Sequence, residues 1–196
     1  MVKHRKFYAV LLVLFLTAHG VSAQDASDDA LSQERFSSPG AGGVILGIGG
    51  GYFAALGGES DYLDPSWSLR ILAQNNNIGA TLFGLGFDLF YSKLPDNEID
   101  GSMSYISALT CATAVYPFYD GIMNLYAKAG PGITTLIAEV EGNRDISLSM
   151  TLSGGAGFYI LLGGHYVLGA GAAYSYYFQR RSSASLDYSA YAGYRF

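Results

Sequence analysis

The sequence predicts an all-β protein, an eight-stranded antiparallel up-and-down transmembrane β-barrel. The N-terminus has the pattern of an export signal, and beyond residue 42 apolar residues repeatedly alternate with polar or small ones. Gly43 to Gly58, Ser102 to Tyr119 and Ser147 to Phe178 contain no Asp, Glu, Lys or Arg. A soluble sheet normally carries charge on its outward face, whereas Arg or Lys facing the bilayer centre costs about 2–4 kcal/mol. A membrane barrel is therefore favoured over a soluble sheet or a lipocalin-type barrel.

Residues 1–23 have the pattern of a secretory signal peptide. Three Lys and Arg residues precede an apolar run from Phe7 to about Ala18, and small residues lead up to Ala23. The run is too short to span a bilayer as a helix, which needs about 20 residues. We expect cleavage between Ala23 and Gln24.

The charge that remains after cleavage excludes one class of partner. The first 23 residues hold three of the eleven Lys and Arg and no acidic residue, so eight basic side chains remain against sixteen Asp and Glu. A net charge of −8 argues against a nucleic-acid partner. Cys111 is the one cysteine, so no internal disulfide is expected. No pattern of residues points to a metal or a cofactor.

The mature chain divides into a leader and one domain. Residues 24–41 are polar and acidic, as expected of a flexible periplasmic leader. Residues 42–196 form the predicted barrel. Its strands are expected at 43–55, 66–73, 78–92, 102–116, 122–137, 147–162, 165–178 and 184–196.

Alternation assigns the faces of most strands. In the fifth strand Leu125 and Ala127 fall on the lipid face, whereas Tyr126 and Lys128 fall on the lumen face. The third and sixth strands repeat this pattern. The fourth strand is ambiguous, because its two faces are almost equally apolar: Met103, Tyr105, Leu109 and Val115 on one, and Ile106, Ala108, Ala112 and Ala114 on the other.

The links between strands alternate in length and charge. The links 56–65, 93–101, 138–146 and 179–183 are longer and charged, whereas 74–77, 117–121 and 163–164 are short. Outer-membrane barrels have long outside loops and short periplasmic turns, so both termini are expected in the periplasm. Pro131 cannot donate to a ladder and predicts a bulge or an interruption in the fifth strand.

A few charges fall on the predicted lumen face, and they form a candidate polar network. These residues are Arg70, Asp88, Lys128, Asp187 and Arg195. A structural role is favoured over transport, because an eight-stranded barrel is only wide enough for side chains to fill it. The many inward glycines either accommodate the inward residues Tyr126, Tyr159, Tyr177 and Tyr191 or leave a cavity.

The C-terminal strand ends in an alternating pattern with a terminal aromatic residue. Tyr188, Ala190, Ala192, Tyr194 and Phe196 occupy every second position. This pattern resembles the C-terminal assembly signal of bacterial outer-membrane proteins, and the segment 125–132 is similar to a strand of the OmpA/OmpX/OmpW-like eight-stranded barrels. The resemblance implies a location in the bacterial outer membrane. It also implies contact with membrane lipid, and with periplasmic chaperones and the barrel assembly machinery through this strand.

Chemistry at a catalytic serine is not expected. Small barrels that resemble lipid A deacylases or palmitoyltransferases need a His–Ser pair with a carboxylate. Only His165 remains after cleavage, with no serine close to it in the sequence, so we expect no enzyme. Two function classes stay open. The working hypothesis is an OmpW-like conduit for small hydrophobic molecules, which the glycine-lined lumen face and the short loops favour. The alternative is a non-conducting structural or surface-interaction barrel with a plugged polar lumen.

Overall fold

The computed structural model describes residues 43–76, 83–97, 101–179 and 183–196. The predicted signal peptide at 1–23, the cleavage site between Ala23 and Gln24, and the leader at 24–41 lie outside these residues. So does the predicted start of the third strand, at 78–82.

Eight strands form a closed barrel in which each strand is antiparallel to the next and the eighth pairs with the first. This confirms the predicted fold class. None of the helices among the described residues is long and apolar enough to cross a membrane. The strands are β1 Val44–Leu56, β2 Ser66–Asn75, β3 Phe83–Pro95, β4 Gly101–Phe118, β5 Met123–Val140, β6 Asn143–Leu162, β7 Tyr166–Phe178 and β8 Ser183–Arg195.

The register around the ring sets the tilt of the strands. If each residue is followed to its partner on the next strand, a path that starts at Val44 returns to β1 at Ala54, ten residues further along. With a rise of about 3.3 Å per residue and strands about 4.8 Å apart, this shift requires a tilt of roughly 40°. Such a ring has an interior that side chains can fill.

The fourth strand takes the orientation that its composition left open. Tyr105, Leu109 and Val115 are buried in the interior, whereas Ile106 and Ala112 are exposed on the outside. The neighbouring strands decide this, because Leu109 pairs with inward Asp88 on β3 and cross-strand partners share a face. The apolar side chains of β4 therefore add to the volume that fills the interior, which the inward charged residues alone did not indicate.

Pro131 interrupts one ladder without shifting it. Leu109 pairs with Gly132 and Ala112 with Ala129, and between these two pairs no pairing joins β4 to β5. The register is the same on both sides of the gap, so the strand contains no bulge. Pro131 faces outward and keeps its pairing with Leu152 on β6.

Two of the predicted long links were wrong, because the strands continue through them. The link expected at 138–146 is a two-residue turn of Glu141 and Gly142, whose φ angles of 49° and 81° suit a tight hairpin. The link expected at 93–101 begins only after Pro95. The charges in these segments lie on paired strands, as where Glu139 pairs with Arg144. The charged residues at these positions therefore lie on the ends of strands that extend beyond the apolar outer surface of the barrel.

Inward glycines hold tyrosine rings. A Cβ on Gly169 would lie 2.6 Å from Cε1 of Tyr191, and a Cβ on Gly157 would lie 2.7 Å from the Tyr126 hydroxyl oxygen. Both tyrosines are buried. At these positions the glycines therefore accommodate aromatic side chains, which is one of the two alternatives that the sequence left open.

We predict that Gly169→Ala lowers the free energy of unfolding by about 1–3 kcal/mol, because the added methyl overlaps the Tyr191 ring. In a Tyr191→Leu background the same change should have little effect. Urea unfolding in detergent micelles measures both. Gly154→Ala is the matched control, since a Cβ there meets only ordinary contacts at 3.9 and 4.0 Å. Equal losses at Gly169 and Gly154 would contradict this account of the packing.

Candidate functional site

Four charged side chains meet in the middle of the barrel. Arg70 Nη2 lies 2.8 Å from Asp187 Oδ2, and Arg70 Nη1 lies 3.6 Å from Asp88 Oδ2. Lys128 Nζ donates to the same Asp88 carboxylate. The cluster, called here the central ion network, thus joins two cations and two carboxylates from four strands and carries no net charge.

The central ion network is almost entirely removed from solvent. Its side chains are between 5% and 10% exposed. Ser68 donates a hydrogen bond of 2.7 Å to Asp187 Oδ1, which satisfies the second oxygen of that carboxylate. Opposite charges and added hydrogen bonds offset the desolvation of the four groups. Asp88 is the central member, because both cations contact it.

Arg195 lies apart from this network. It is eight residues beyond Asp187 on β8, about 26 Å along the strand. Its backbone N–H donates to the carbonyl oxygen of His165 at 2.7 Å, at the end of the barrel where β1 begins and β8 ends. The sequence pattern placed it correctly on β8, but alternation alone contains no information about height in the barrel.

Apolar side chains fill the barrel on both sides of the central ion network. The base cluster, at the end of the barrel where β1 begins and β8 ends, consists of Ile45, Leu72, Val115, Tyr126, Tyr159, Leu161, Val167 and Tyr191. The mouth cluster, at the opposite end, consists of Phe53, Ala55, Leu63, Phe90, Leu94, Tyr105, Leu136 and Tyr177. Each member of either cluster is at most 9% exposed.

Hydroxyl groups connect the strands inside the barrel. Thr134 Oγ1 lies 2.8 Å from Ser107 Oγ and 2.6 Å from Thr151 Oγ1, so one chain of hydrogen bonds crosses three strands. Tyr177 and Ser185 form a similar pair at 2.8 Å. Sequence reasoning identified inward serines and threonines on β6 but did not identify these pairings.

The segment between β1 and β2 covers the mouth. Leu63 is buried in the mouth cluster, and the hydroxyl of Tyr105 donates to Glu59 Oε2 at 2.8 Å. The backbone N–H of Asp64 donates to the carbonyl of Pro95 at 2.9 Å, which ties this segment to the end of β3. Sequence reasoning missed this cover; the available signal was the pair Tyr62 and Leu63 between Asp61 and Asp64.

Strands β3, β4, β5 and β6 form a sheet that projects beyond the rest of the barrel at the mouth. Pairing of β6 with β7 begins only at Met150 and Phe178, so no strand among the described residues pairs with residues 143–149 of β6 on that side. In a two-residue hairpin Val140 and Asn143 form a hydrogen-bonded pair, so the N–H and C=O groups of Arg144, Ile146 and Leu148 point away from β5. Residues 143–148 are all exposed. We call this stretch the free β6 edge.

The outward face of the projecting sheet carries an exposed ion pair. Lys93 Nζ lies 3.2 Å from Glu139 Oε2, and this hydrogen bond and charge hold the pKa of the Glu139 carboxyl below its ordinary value. The Ser102 hydroxyl lies 3.5 Å from the same oxygen. Because the pair is exposed, solvent screens it, unlike the central ion network.

The C-terminal strand presents its alternate residues outward. Tyr188, Ala190, Ala192, Tyr194 and Phe196 are all exposed. The ring of Tyr194 stacks on His165 with centroids 5.5 Å apart and meets Phe196 edge-on at 5.0 Å. His165 Nδ1 lies 3.2 Å from the carbonyl oxygen of Arg195. Among the described residues no group of three or more His, Cys, Asp or Glu side chains is placed to hold a metal ion.

We predict that Asp88→Asn lowers the free energy of unfolding by about 3–5 kcal/mol, because it leaves Arg70 and Lys128 as buried cations without that charge partner. Urea unfolding measures the loss. Glu139→Gln, which breaks the exposed pair with Lys93, is the control and should leave stability nearly unchanged. A wild-type midpoint for Asp88→Asn would mean that the central ion network contributes nothing to stability.

Solved structures of low sequence identity have a similar fold. Neisserial surface protein A is 17% identical with a TM-score of 0.61, and the match covers 80% of this chain and 99% of that one. OprG, an outer membrane protein from Pseudomonas aeruginosa, is 13% identical with a TM-score of 0.54, covering 81% and 98%. Ail from Yersinia pestis, in complex with the heparin analogue sucrose octasulfate, is 15% identical with a TM-score of 0.50, covering 79% and 99%.

Neither a protein-family model nor a curated protein matches the sequence. At these identities a structural likeness establishes a fold and not an activity. The matches cover almost the whole length of the solved chains. In this chain the eight strands form a closed antiparallel ring in sequence order. The chain has the fold of the eight-stranded outer-membrane β-barrels.

Proposed function

We propose that this protein is a non-conducting barrel of the bacterial outer membrane that acts as a structural or surface-interaction protein and not as an enzyme. The observation that supports the proposal is the filled interior. The base cluster, the central ion network and the mouth cluster follow one another along the barrel, and nearly all of their side chains are buried. His165 contacts Tyr194 and a backbone carbonyl, which is not the environment of a catalytic base.

A conduit for small hydrophobic molecules is the competing function. A solute that passed along the axis would have to displace Leu63 and Tyr105 at the mouth, separate the ion pairs of Asp88, and then pass the tyrosines of the base cluster. Separating one partner from a buried ion pair costs about 3–5 kcal/mol before the other displacements are counted.

We expect the purified barrel to show no steady conductance in planar bilayers and no solute flux into liposomes. Lys128→Ala should lower stability and leave conductance at the baseline, because Lys128 belongs to a packed interior. If the wild-type barrel conducts and Lys128→Ala changes the conductance, the lumen is a path and the conduit function replaces the one proposed here.

The surface role is supported by the projecting sheet. An unpaired strand edge can accept an added strand from another polypeptide, and the free β6 edge offers unpaired backbone N–H and C=O groups over residues 143–148. Ile146 is 59% exposed and Leu148 is 71% exposed beside this edge. In the orientation proposed here the start of β1 and the end of β8 face the periplasm, so the projecting sheet faces the outside of the cell.

This orientation predicts which positions can be labelled on intact cells. A cysteine at Glu141, in the hairpin turn, should react with a polymer-linked maleimide too large for porins. A cysteine at His165, in the turn at the base, should react only after the outer membrane is permeabilised. Native Cys111 is buried and serves as the internal control. Labelling at His165 but not at Glu141 on intact cells would reverse the orientation and contradict the surface role.

A further inference from the structure

The free β6 edge lies beyond the apolar outer surface of the barrel. Outward Trp67 and Tyr91 contact each other with ring centroids 5.7 Å apart, and aromatic side chains of this kind favour the membrane interface. From Tyr91 the pairing row crosses β4 and β5 and reaches Leu148 on β6. Because the strands are tilted, each step along this row climbs about 3 Å toward the mouth, and Ile146, two residues further along β6, lies about 14 Å beyond Tyr91. The edge is therefore open to molecules in the aqueous space.

The chain covers one edge of the projecting sheet and leaves the other open. Along β3, the backbone N–H of Asp64 donates to the carbonyl oxygen of Pro95 at 2.9 Å, and Leu63 forms a β-bridge with Asp96. Along β6, no strand among the described residues pairs with residues 143–148 on the side away from β5. Natural sheets protect exposed edges with covering segments, proline or bulges. The segment 143–148 contains no proline and pairs residue for residue with β5, so it keeps the form of a strand that can accept another.

A second copy of this chain in the same membrane cannot pair with this edge. Two copies of one strand edge join antiparallel through a two-fold axis perpendicular to the sheet. Such an axis lies in the membrane plane and would turn the second barrel upside down. Parallel pairing needs a two-fold axis along β6, and because the strands tilt by roughly 40° the two barrel axes would then meet at about 80°. The edge therefore suits a polypeptide that is not held in the membrane.

We propose that the free β6 edge binds an extended segment of an extracellular polypeptide as an added antiparallel strand. The inference names the partner of the projecting sheet and rests on the surface role proposed above. Pairing of β6 with β7 leaves residues 143–148 open to the added strand. The N–H and C=O groups of Arg144, Ile146 and Leu148 point away from β5 and offer both donors and acceptors. A segment of about six residues is long enough to satisfy all of them.

The exposed side chains beside the edge define which segment fits. In an antiparallel pair, residues directly opposite each other lie on the same face of the sheet. Ile146 and Leu148, which are 59% and 71% exposed, favour apolar β-branched residues opposite them. Arg144 favours an acidic residue, because Glu139 beside it is already bonded to a lysine on β3, and Asp145 on the other face favours a basic one. The preferred segment therefore alternates apolar and polar residues toward its N-terminus and carries a basic and an acidic residue toward its C-terminus.

Two synthetic peptides of the same sequence test whether the segment binds through its backbone. Both are the labelled, acetylated and amidated peptide Val-Thr-Val-Lys-Glu-Thr, and fluorescence anisotropy measures their binding to the full-length mature barrel in phospholipid nanodiscs. One is N-methylated at its second and fourth residues, whose amides point away from β6; the other is N-methylated at its third and fifth residues, whose amides bond to β6. We expect the first peptide to bind and the second to bind about tenfold more weakly, because it has lost two of its hydrogen bonds.

Proline at position 146 removes an edge donor without disturbing the β5 ladder. The N–H of Ile146 points away from β5, so Ile146→Pro deletes a group that only the added strand would use. We expect the first peptide to bind this variant about tenfold more weakly than wild type. Ile146→Val is the matched control, since it keeps the N–H and a β-branched side chain, and it should bind as wild type does. Arg144→Pro is a second blocking variant in case the first fails to fold, and faster migration of unboiled protein on a detergent gel verifies folding.

Hydrogen exchange of the wild-type barrel gives an independent measurement. Peptide binding should slow exchange at the amides of Arg144, Ile146 and Leu148 and leave those of Asp145 and Ser147 unchanged, because the latter already bond to β5. The proposal is overturned if wild type does not bind the first peptide, if the two methylated peptides bind equally, or if Ile146→Pro binds as Ile146→Val does. It is also overturned if barrels in vesicles cross-link as dimers that Ile146→Pro dissociates.

Failure of this proposal is distinguishable from failure of the surface role. A barrel that is labelled at Glu141 on intact cells but does not bind the peptide refutes the proposed partner and leaves the surface location standing. Labelling at His165 and not at Glu141 refutes the surface role itself, and with it the access of any extracellular segment to the free β6 edge.

Discussion

Closure of β8 onto β1 is the constraint on which the rest of the structure depends. A ring of eight strands with a register shift of ten residues has a fixed, narrow interior, and within the closed ring each strand pairs with a neighbour on both sides; the free β6 edge lies beyond that ring. Every inward side chain must therefore share a small volume with its neighbours. Gly169 and Gly157 provide space for the rings of Tyr191 and Tyr126, and the four charges of the central ion network meet because closure brings β2, β3, β5 and β8 together.

The same constraint explains the order of layers along the axis. Buried charges are stable only when they are paired, so Arg70, Asp88, Lys128 and Asp187 are grouped at one level, with apolar clusters on either side that exclude water. Exclusion of water strengthens the ion pairs. A filled interior of this kind supports a role for the outer surface of the barrel, above all the projecting sheet.

The sequence predicted the inward and outward faces best in strands that have apolar surroundings on one face and a packed polar interior on the other. The faces of β5, β6 and β8 follow from two-residue alternation because one side meets apolar surroundings and the other a packed polar interior. It failed at the links 93–101 and 138–146, because a charge indicates only that a residue has left the apolar band. Such a charge is equally compatible with a loop and with a strand that continues, as Glu139 and Arg144 do.

The sequence by itself determined the fold class, the number of strands and which residues of most strands face inward, since these depend on patterns within each strand. Only the tertiary structure decided which side chains of different strands contact one another. The orientation of β4, the separation of Arg195 from the other charges and the burial of Leu63 at the mouth all depend on register between strands. Alternation shows which face of a strand a residue lies on, but not how far along the barrel axis it lies. The position along the axis depends on how the tilted strands pair around the closed ring.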